Sequence, residues 1–504
     1  MTGVLLWGAY WCAKHIPLDA LPDLSDTQVI IYSRWERSPD IMEDQVTYPI
    51  ITGLLGAPRV KAVRGFSDFG YSFVYVIFED GTDLYWARSR VLEYLARIQP
   101  RLPEGVRAEI GPDATGLGWV YQYALTGDGS VEQHEIRAFQ DWNLRLHLQT
   151  VPGVAEVASL GGPVKQYQVL LDPGALLSYN ISVPTITDAI RKSNRETGGR
   201  VVEFSGHEYM VRGRGYVRET RDLENIVVRV DDAGTPVLLR NLGKVTLGPD
   251  IKRGASDMDG EGEVTTGTVV MRSGENALAV IERAKTRLSE IQSSFPEGVK
   301  LVTLYDRSEL IEKAIETLKS TLVEEIIVVS LIILLFLWHL PSATTAIITI
   351  PVSVFLAFIP LYLTGQTSNI MSLAGIAISI GVLVDGAIVQ VENMYHRIQI
   401  WMESGQKEPF EEVRLRALTE VGSSVFFSLL VIAVSFMPIF TLVDQEGRLF
   451  KPLAYSKNFA MAIAALLALT LDPAIRMMYN RYEFFRFRPV WLATLMSHLL
   501  VGRY

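Results

Sequence analysis

Cysteine is almost absent: one residue, Cys12, in 504. A single thiol cannot form a disulfide within the chain, and zinc sites built from several thiolates are excluded with it. A basic excess is also absent. The net charge is −9, so no nucleic-acid partner is implied. The acid excess falls within 15–320 and the remainder is balanced; such a surface either suits cationic ligands or is ordinary for its length. No P-loop, HExxH or G-x-S-x-G occurs, so neither an enzyme nor a cofactor is expected. Any driven process must then draw on an ion gradient.

Long apolar runs are present, and they follow Thr321: near 322–338, 343–363, 370–391, 421–442 and 454–475. Each suits one crossing of a hydrocarbon core, which takes about 20 helical residues. Backbone groups in lipid must bond within their own segment, so these are expected to be helices. Residues 1–14 (MTGVLLWGAYWCAK) are too short to span and lack the basic start and cleavage site of a leader. They read as the second half of a membrane helix, which makes a truncated product the expectation. Basic residues sit in 394–418 (Arg397, Lys407, Arg414, Arg416) and in the tail (Arg476, Arg481, Arg486, Arg488, Arg503). The positive-inside rule assigns both to the cytoplasm. The block 15–320 then lies outside, in the periplasm of a Gram-negative cell.

That block alternates strand and helix patterns. TQVIIYS, VKAVRGF, YSFVYVIFED and VRAEI read as strands, with helices over about 39–55 and in TDLYWARSRVLEYLARIQPRL. The order is βαββαβ, the ferredoxin-like pattern. It returns in WVYQYAL, the helix EQHEIRAFQDWNLRLHLQTV, an expected strand pair GVAEVASLGG and VKQYQVLLD, the helix ENALAVIERAKTRLSEIQ and the strand KLVTLYD. About 90 residues, roughly 175–262, interrupt this second unit as a small α/β module. The helix 307–320 runs into the next apolar segment without Pro or Gly, as a rigid shaft would.

Asp385 stands in the middle of NIMSLAGIAISIGVLVDGAIVQVEN. A charge in hydrocarbon costs roughly 2.5–3.5 kcal/mol on insertion scales, so such a residue marks a proton or ion carrier or a partner for another charge. The alternative is a structural pair with a neighbouring helix. Burial disfavours the ionised carboxylate and a nearby cation favours it, so alternating surroundings would bind and release a proton.

These motifs together resemble the heavy-metal efflux branch of the resistance-nodulation-division (RND) exporters, of the copper/silver type, in their N-terminal half. The matching segments are PLDALPDLSDTQV (17–29), VRGFSDFG (63–70), YVIFEDGTDLYWARSRVLEYL (75–95), IGPDATGLGWVY (110–121), YDRSELI (305–311) and VDGAIVQVEN (384–393). The resemblance implies a partial RND fold, an α/β periplasmic domain on an α-helical transmembrane bundle. It gives a partial first membrane helix (1–14), porter subdomain 1 (15–113), porter subdomain 2 in two parts (114–174 and 263–306) and a docking insertion (175–262). A linker helix with the second span (307–338) follows, then spans at 342–364, 369–393, 418–442 and 453–477, and an interfacial helix at 478–504. It implies a homotrimeric inner-membrane proton antiporter that works with a periplasmic adaptor, an outer-membrane channel and the C-terminal half of the pump. The transported metal ion and the proton gradient stand where a cofactor would.

The resemblance assigns the proton relay to Asp385, with Glu392 as a second carboxylate or an interfacial anchor. Two methionines of a thioether metal path match, Met371 and Met461; an alternative for each is plain packing. Other positions of that path hold Leu383, Gln390 and Arg476, and Ser379 stands where divalent-metal pumps have an acid. Arg64 matches an arginine near the periplasmic cleft, or forms a surface ion pair. Export of organic compounds and a non-transporting remnant are the competing readings.

Overall fold

The computed structural model describes residues 2–230, 234–252, 254–337 and 340–478. Two four-stranded antiparallel sheets dominate the α/β block. The first uses β1 (Gln28–Arg34), β2 (Val60–Asp68), β3 (Tyr71–Phe78) and β4 (Ala108–Ile110) in the order β2-β3-β1-β4. β1 and the first six residues of β3 alternate buried positions with less buried ones, as strands with one covered face do. Two helical segments cover that face. In Leu84–Ile98, Asp83 caps the start by accepting the Trp86 N–H at 2.8 Å, and Ala87, Val91, Leu95 and Ile98 are buried. The other runs from Pro39 to Leu54 and buries Met42, Val46, Ile50 and Leu54, four residues apart. A strict spacing of four drifts around a 3.6-residue helix; a wider π turn at Glu43–Thr47 keeps the seam on the sheet.

The second unit repeats the device. Its sheet contains β5 (Trp119–Gly127) and β6 (Val154–Leu160), then β13 (Thr265–Met271) and β14 (Val299–Asp306) from far along the chain, in the order β14-β5-β13-β6. Its covering helix buries Ile136, Gln140, Leu144 and Leu148 through a π turn at Gln140–Leu144. Both sheets have the ferredoxin-like order expected from the sequence.

The strand pair expected between GVAEVASLGG and VKQYQVLLD does not form. β7 (Lys165–Leu171) pairs instead with β12 (Gly243–Pro249), so it belongs to the inserted module. The module holds β8 (Thr197–Phe204) with β9 (His207–Gly213), and β10 (Val227–Val230) with β11 (Pro236–Leu238). Two glycines at positive φ, Gly161 (67°) and Gly162 (65°), turn the chain out of the sheet. The partner of β6 is β13, buried along almost its whole length between β5 and β6. A strand covered on both faces lacks the alternation that marks half-buried ones.

Among the described residues, three helices are long and apolar enough to cross a membrane: Ile370–Glu403, Phe410–Thr441 and Asp444–Leu469. The helix Arg307–Leu337 is continuous, as expected for a shaft, and about 46 Å long at 1.5 Å per residue. The span expected at 342–364 is broken into Leu340–Leu356, which contains Pro351, and Phe358–Leu363. The helix of the span expected at 369–393 continues ten residues further. Those of the spans expected at 418–442 and 453–477 start earlier than their apolar runs, at Phe410 and Asp444. Hydropathy marks where lipid would end; hydrogen bonding and caps mark where a helix ends. The interfacial helix expected over 478–504 lies outside the described residues beyond Met478.

Candidate functional site in the membrane helices

The Asp385 helix begins at a capping box: Asn369 Oδ1 accepts the Ser372 N–H at 3.0 Å and Ser372 Oγ accepts the Asn369 N–H at 2.8 Å. Just before it, the segment 17–20 lies alongside. Ser368 N–H donates to the Pro17 carbonyl (2.9 Å), Asp19 N–H to Ser368 (3.1 Å) and Ile370 N–H to Ala20 (3.1 Å). The PLDA motif therefore anchors the N-terminal end of this helix.

One face of the helix packs into the bundle through Leu373, Ile376, Ile380, Leu383, Ala387, Val391 and Met394. Ile378, Gly381, Asp385, Val389, Glu392 and His396 are exposed at spacings of three and four, one stripe along the helix. Asp385 is thus not buried within this chain. Among the described residues neither Asp385 nor Glu392 forms an ion pair or side-chain hydrogen bond. The exposed stripe carries Asp385, Glu392 and His396 beside Ile378 and Val389, and the buried face carries Ser372, Ser379 and Gln390 among its apolar residues, so periodicity alone could not say which face packs.

The two methionines are not gathered. Met461 is fully buried in the apolar core with Ile376, Ile380 and Leu383, whereas Met371 is half-buried and outside that core. Arg64 is exposed on β2, an edge strand, and forms no ion pair among the described residues.

The sequence reading missed a polar group inside the bundle. Thr349 Oγ1 donates to Asp472 at 2.5 Å, and Arg476 Nη2 lies 4.0 Å from the other Asp472 oxygen. The same Nη2 donates to the Ala387 carbonyl at 3.3 Å. Gln390 Nε2 donates to Ala468 (3.2 Å) and Ser353 Oγ to Ala460 (3.2 Å). All five side chains are buried. The available signal was TLDPAIRMM, an acid and a base four residues apart at the end of an apolar run. Lys457 was missed as well. It is buried, with its ammonium 3.0 Å from the Phe436 ring centroid.

Charge also joins the bundle to the first sheet. Arg448, near the start of Asp444–Leu469, donates to the Leu24 carbonyl (3.0 Å), to Asp26 (2.9 Å) and to Asp80. Asp444 N–H donates to Asp80 Oδ2 at 3.1 Å, and Lys61 pairs with Asp444 at 2.6 Å. The Arg448 hydrogen bond holds the Asp80 carboxyl below the usual aspartate range. The carboxylates of Asp26, Asp80 and Asp444 approach within 4.8 Å of one another, a spacing a cation could bridge, but Arg448 and Lys61 already partner them.

The model of the AcrB/AcrD/AcrF family matches residues 1–481. The chain belongs to this family. The Escherichia coli K12 "Cation efflux system protein CusA" is 50% identical over 477 residues, 93% of this chain and 46% of that protein. The Salmonella typhimurium "Putative cation efflux system protein SilA" is 50% identical over 485 residues, 94% and 46%. The "Cobalt-zinc-cadmium resistance protein CzcA" of Cupriavidus metallidurans is 35% identical over 475 residues, 92% and 44%. A crystal structure titled as a heavy metal efflux pump superposes with a TM-score of 0.83 at 30% identity, over 99% of this chain and 48% of that one. The expected resemblance to the heavy-metal branch of the RND exporters therefore holds, and with it the partial RND fold. The chain spans about half the length of the curated relatives it matches. With this membership and its apolar helices, it is a membrane protein.

Proposed function

We propose that the chain supplies one half of a proton-driven exporter of heavy-metal cations, with proton passage at Asp385 coupled to movement of the α/β subdomains. The observation that carries this is the exposed stripe of the Asp385 helix. An aspartate centred on an apolar helix, facing away from its own bundle, is placed to meet a second membrane half and not to stabilise this one. Glu392, two turns along the same stripe, extends the relay. The PLDA ladder and the Arg448 clamp give the membrane helices direct holds on the α/β block.

The cargo is a metal cation, with Cu(I) or Ag(I) favoured. The relatives named for cation efflux and for cobalt, zinc and cadmium resistance support a metal. Full burial of Met461 among apolar side chains supports packing for that residue; Met371 is half-buried at the helix start. Arg64 belongs to the metal-entry cleft. No cofactor is needed, because the proton gradient supplies the energy, and no enzymatic step is involved. The assembly is a homotrimer in the bacterial inner membrane, its α/β block in the periplasm. It works with an adaptor, an outer-membrane channel and the complementary half. The hairpin β8–β9, exposed along both strands with Val201, Phe204, Tyr209 and Met210 outward, supports an oligomer. An isolated two-stranded hairpin is marginal in water and gains from a neighbouring surface.

The test is metal tolerance in an efflux-deleted host carrying this chain with a complementary half from a relative. Restored copper or silver tolerance that Asp385→Asn abolishes is the expected result. An Asn variant as active as the original would overturn the relay. Protection against organic dyes without protection against metals would replace the cargo, and no protection of either kind would favour the non-transporting reading.

A further inference from the structure

We propose that Asp472 is a second proton-binding site of this chain, inside the bundle and separate from Asp385. Among the described residues of 348–478, Asp472 is the only carboxylate residue buried in the helical core; the other Asp and Glu residues there are exposed. Buried charge pairs hold firmly when their geometry is tight and their remaining lone pairs are filled. This pair is loose. Arg476 stands 4.0 Å away and directs Nη2 to the Ala387 carbonyl, and among the described residues the direct side-chain donor to Asp472 is the Thr349 hydroxyl.

Beside the carboxylate is a mostly apolar cavity of about 20 Å³, where Asp472, Thr349 and Ser353 meet Leu383, Val425 and Leu429. A water needs about 10–15 Å³ of such space and two to four polar partners. Thr349, Ser353 and Asp472 supply three. The cavity thus has room for the molecule that would deliver a proton. Thr349 and Ser353 lie four residues apart on one helix and line one side of the path.

The surrounding charges are few. The described part of helix Leu340–Leu356 brings the Thr349 and Ser353 hydroxyls, and the Asp385 helix presents the Ala387 carbonyl and Gln390, with Asp385 itself on the opposite, exposed face. Phe410–Ser435 brings Arg414, whose Nη1 donates to the Met477 carbonyl at 3.5 Å. Asp444–Leu469 offers Ala464 and Ala468, and Asp472's own helix offers Arg476. Proton uptake forms one O–H bond on an Asp472 oxygen and breaks one O–H bond of the delivering hydronium. It leaves a single positive charge on Arg476, held by Ala387. The role of the site in export rests on the proton-driven reading above; its existence does not.

The experiment is infrared difference spectroscopy between acidic and alkaline pH on the full chain in lipid bilayers, which needs no transport. The expected result is a titrating protonated-carboxyl band that is lost in Asp472→Asn and kept in Asp385→Asn. An unchanged band in Asp472→Asn overturns the proposal. If that variant fails to fold, Thr349→Val decides: a shifted band or titration midpoint supports the site, and an unmoved one overturns it. Failure of metal export in cells, with the Asp472 band present, would count against the exporter reading alone.

Discussion

The two α/β subdomains share one fold but hold it differently. The first is contiguous; its four-residue seam is apolar, with the buried Thr47 beside it hydrogen-bonded to Ser67 and Ser72 (2.8 Å each), and charges bind it to the membrane helix Asp444–Leu469. The second is split by the inserted module, carries Gln140 in its helix seam, and continues covalently into the helix Arg307–Leu337. In the second, Tyr123 Oη donates to Gln140 Oε1 inside the core (2.9 Å), and Gln140 Nε2 donates to the half-buried Ser159 (3.2 Å). Burial pushes the Tyr123 hydroxyl pKa well up, so it stays a neutral donor. A ferredoxin-like sheet evidently tolerates either an apolar or a satisfied polar seam, provided that the π turn keeps the seam facing inward.

The sharpest way to break the comparison is at the glycines. Gly161 sits at φ 67°, and a Cβ there would come 2.3 Å from the Val264 carbonyl oxygen. Gly161→Ala should cost on the order of 3 kcal/mol and unfold the β6–β13 junction. Gly81, at φ 78° with open space around it, should cost about 1–2 kcal/mol as Ala, from its backbone alone. Hydrogen exchange resolved by subdomain checks both; equal effects would mean that the junction does not depend on that contact.

Next in size is the polar seam. Gln140→Leu strands the Tyr123 hydroxyl and should cost about 1–3 kcal/mol, while adding Tyr123→Phe should recover part of the loss. Additive losses in urea melts followed at the second subdomain would refute the shared network.

The smallest effects concern the ties to the membrane, and here acid separates the two. Arg448→Ala should loosen 24–26 and the turn at Asp80 by about 1 kcal/mol, since both partners are partly exposed. Asp80 is held low in the folded protein, so its contribution is full above the ordinary aspartate value and is lost as pH falls through its lower folded value. Asp19, which meets Arg307 at 3.4 Å, is the opposite case: burial raises its pKa and Arg307 only partly offsets this. Its contribution is present at low pH and is lost as pH rises through the raised folded value. Acid should therefore release protection around 24–26 before 17–20; simultaneous release in exchange profiles would show that the two ties act as one.

Much of this was written locally. The βαββαβ order, the Asp83 cap and the Asp80-Gly81 turn lie in short segments whose residues have few alternatives. The family motifs and the aspartate within an apolar run were legible for the same reason. Boundaries were less so, because an apolar run reports on lipid and a helix ends where its hydrogen bonds do.

The sequence alone determined the fold class, the family and the place of three long apolar helices. It could not determine that β13 displaces β7 from the second sheet, because burial on both faces erases the alternating pattern that would reveal it. Nor could it show that Asp385 faces outward, because both sides of that helix mix apolar and polar residues. The meeting of Thr349 with Asp472, 123 residues apart, exists only in the packed bundle. There the desolvation of a charge, and hence its use, is set by neighbours that no local stretch of sequence contains.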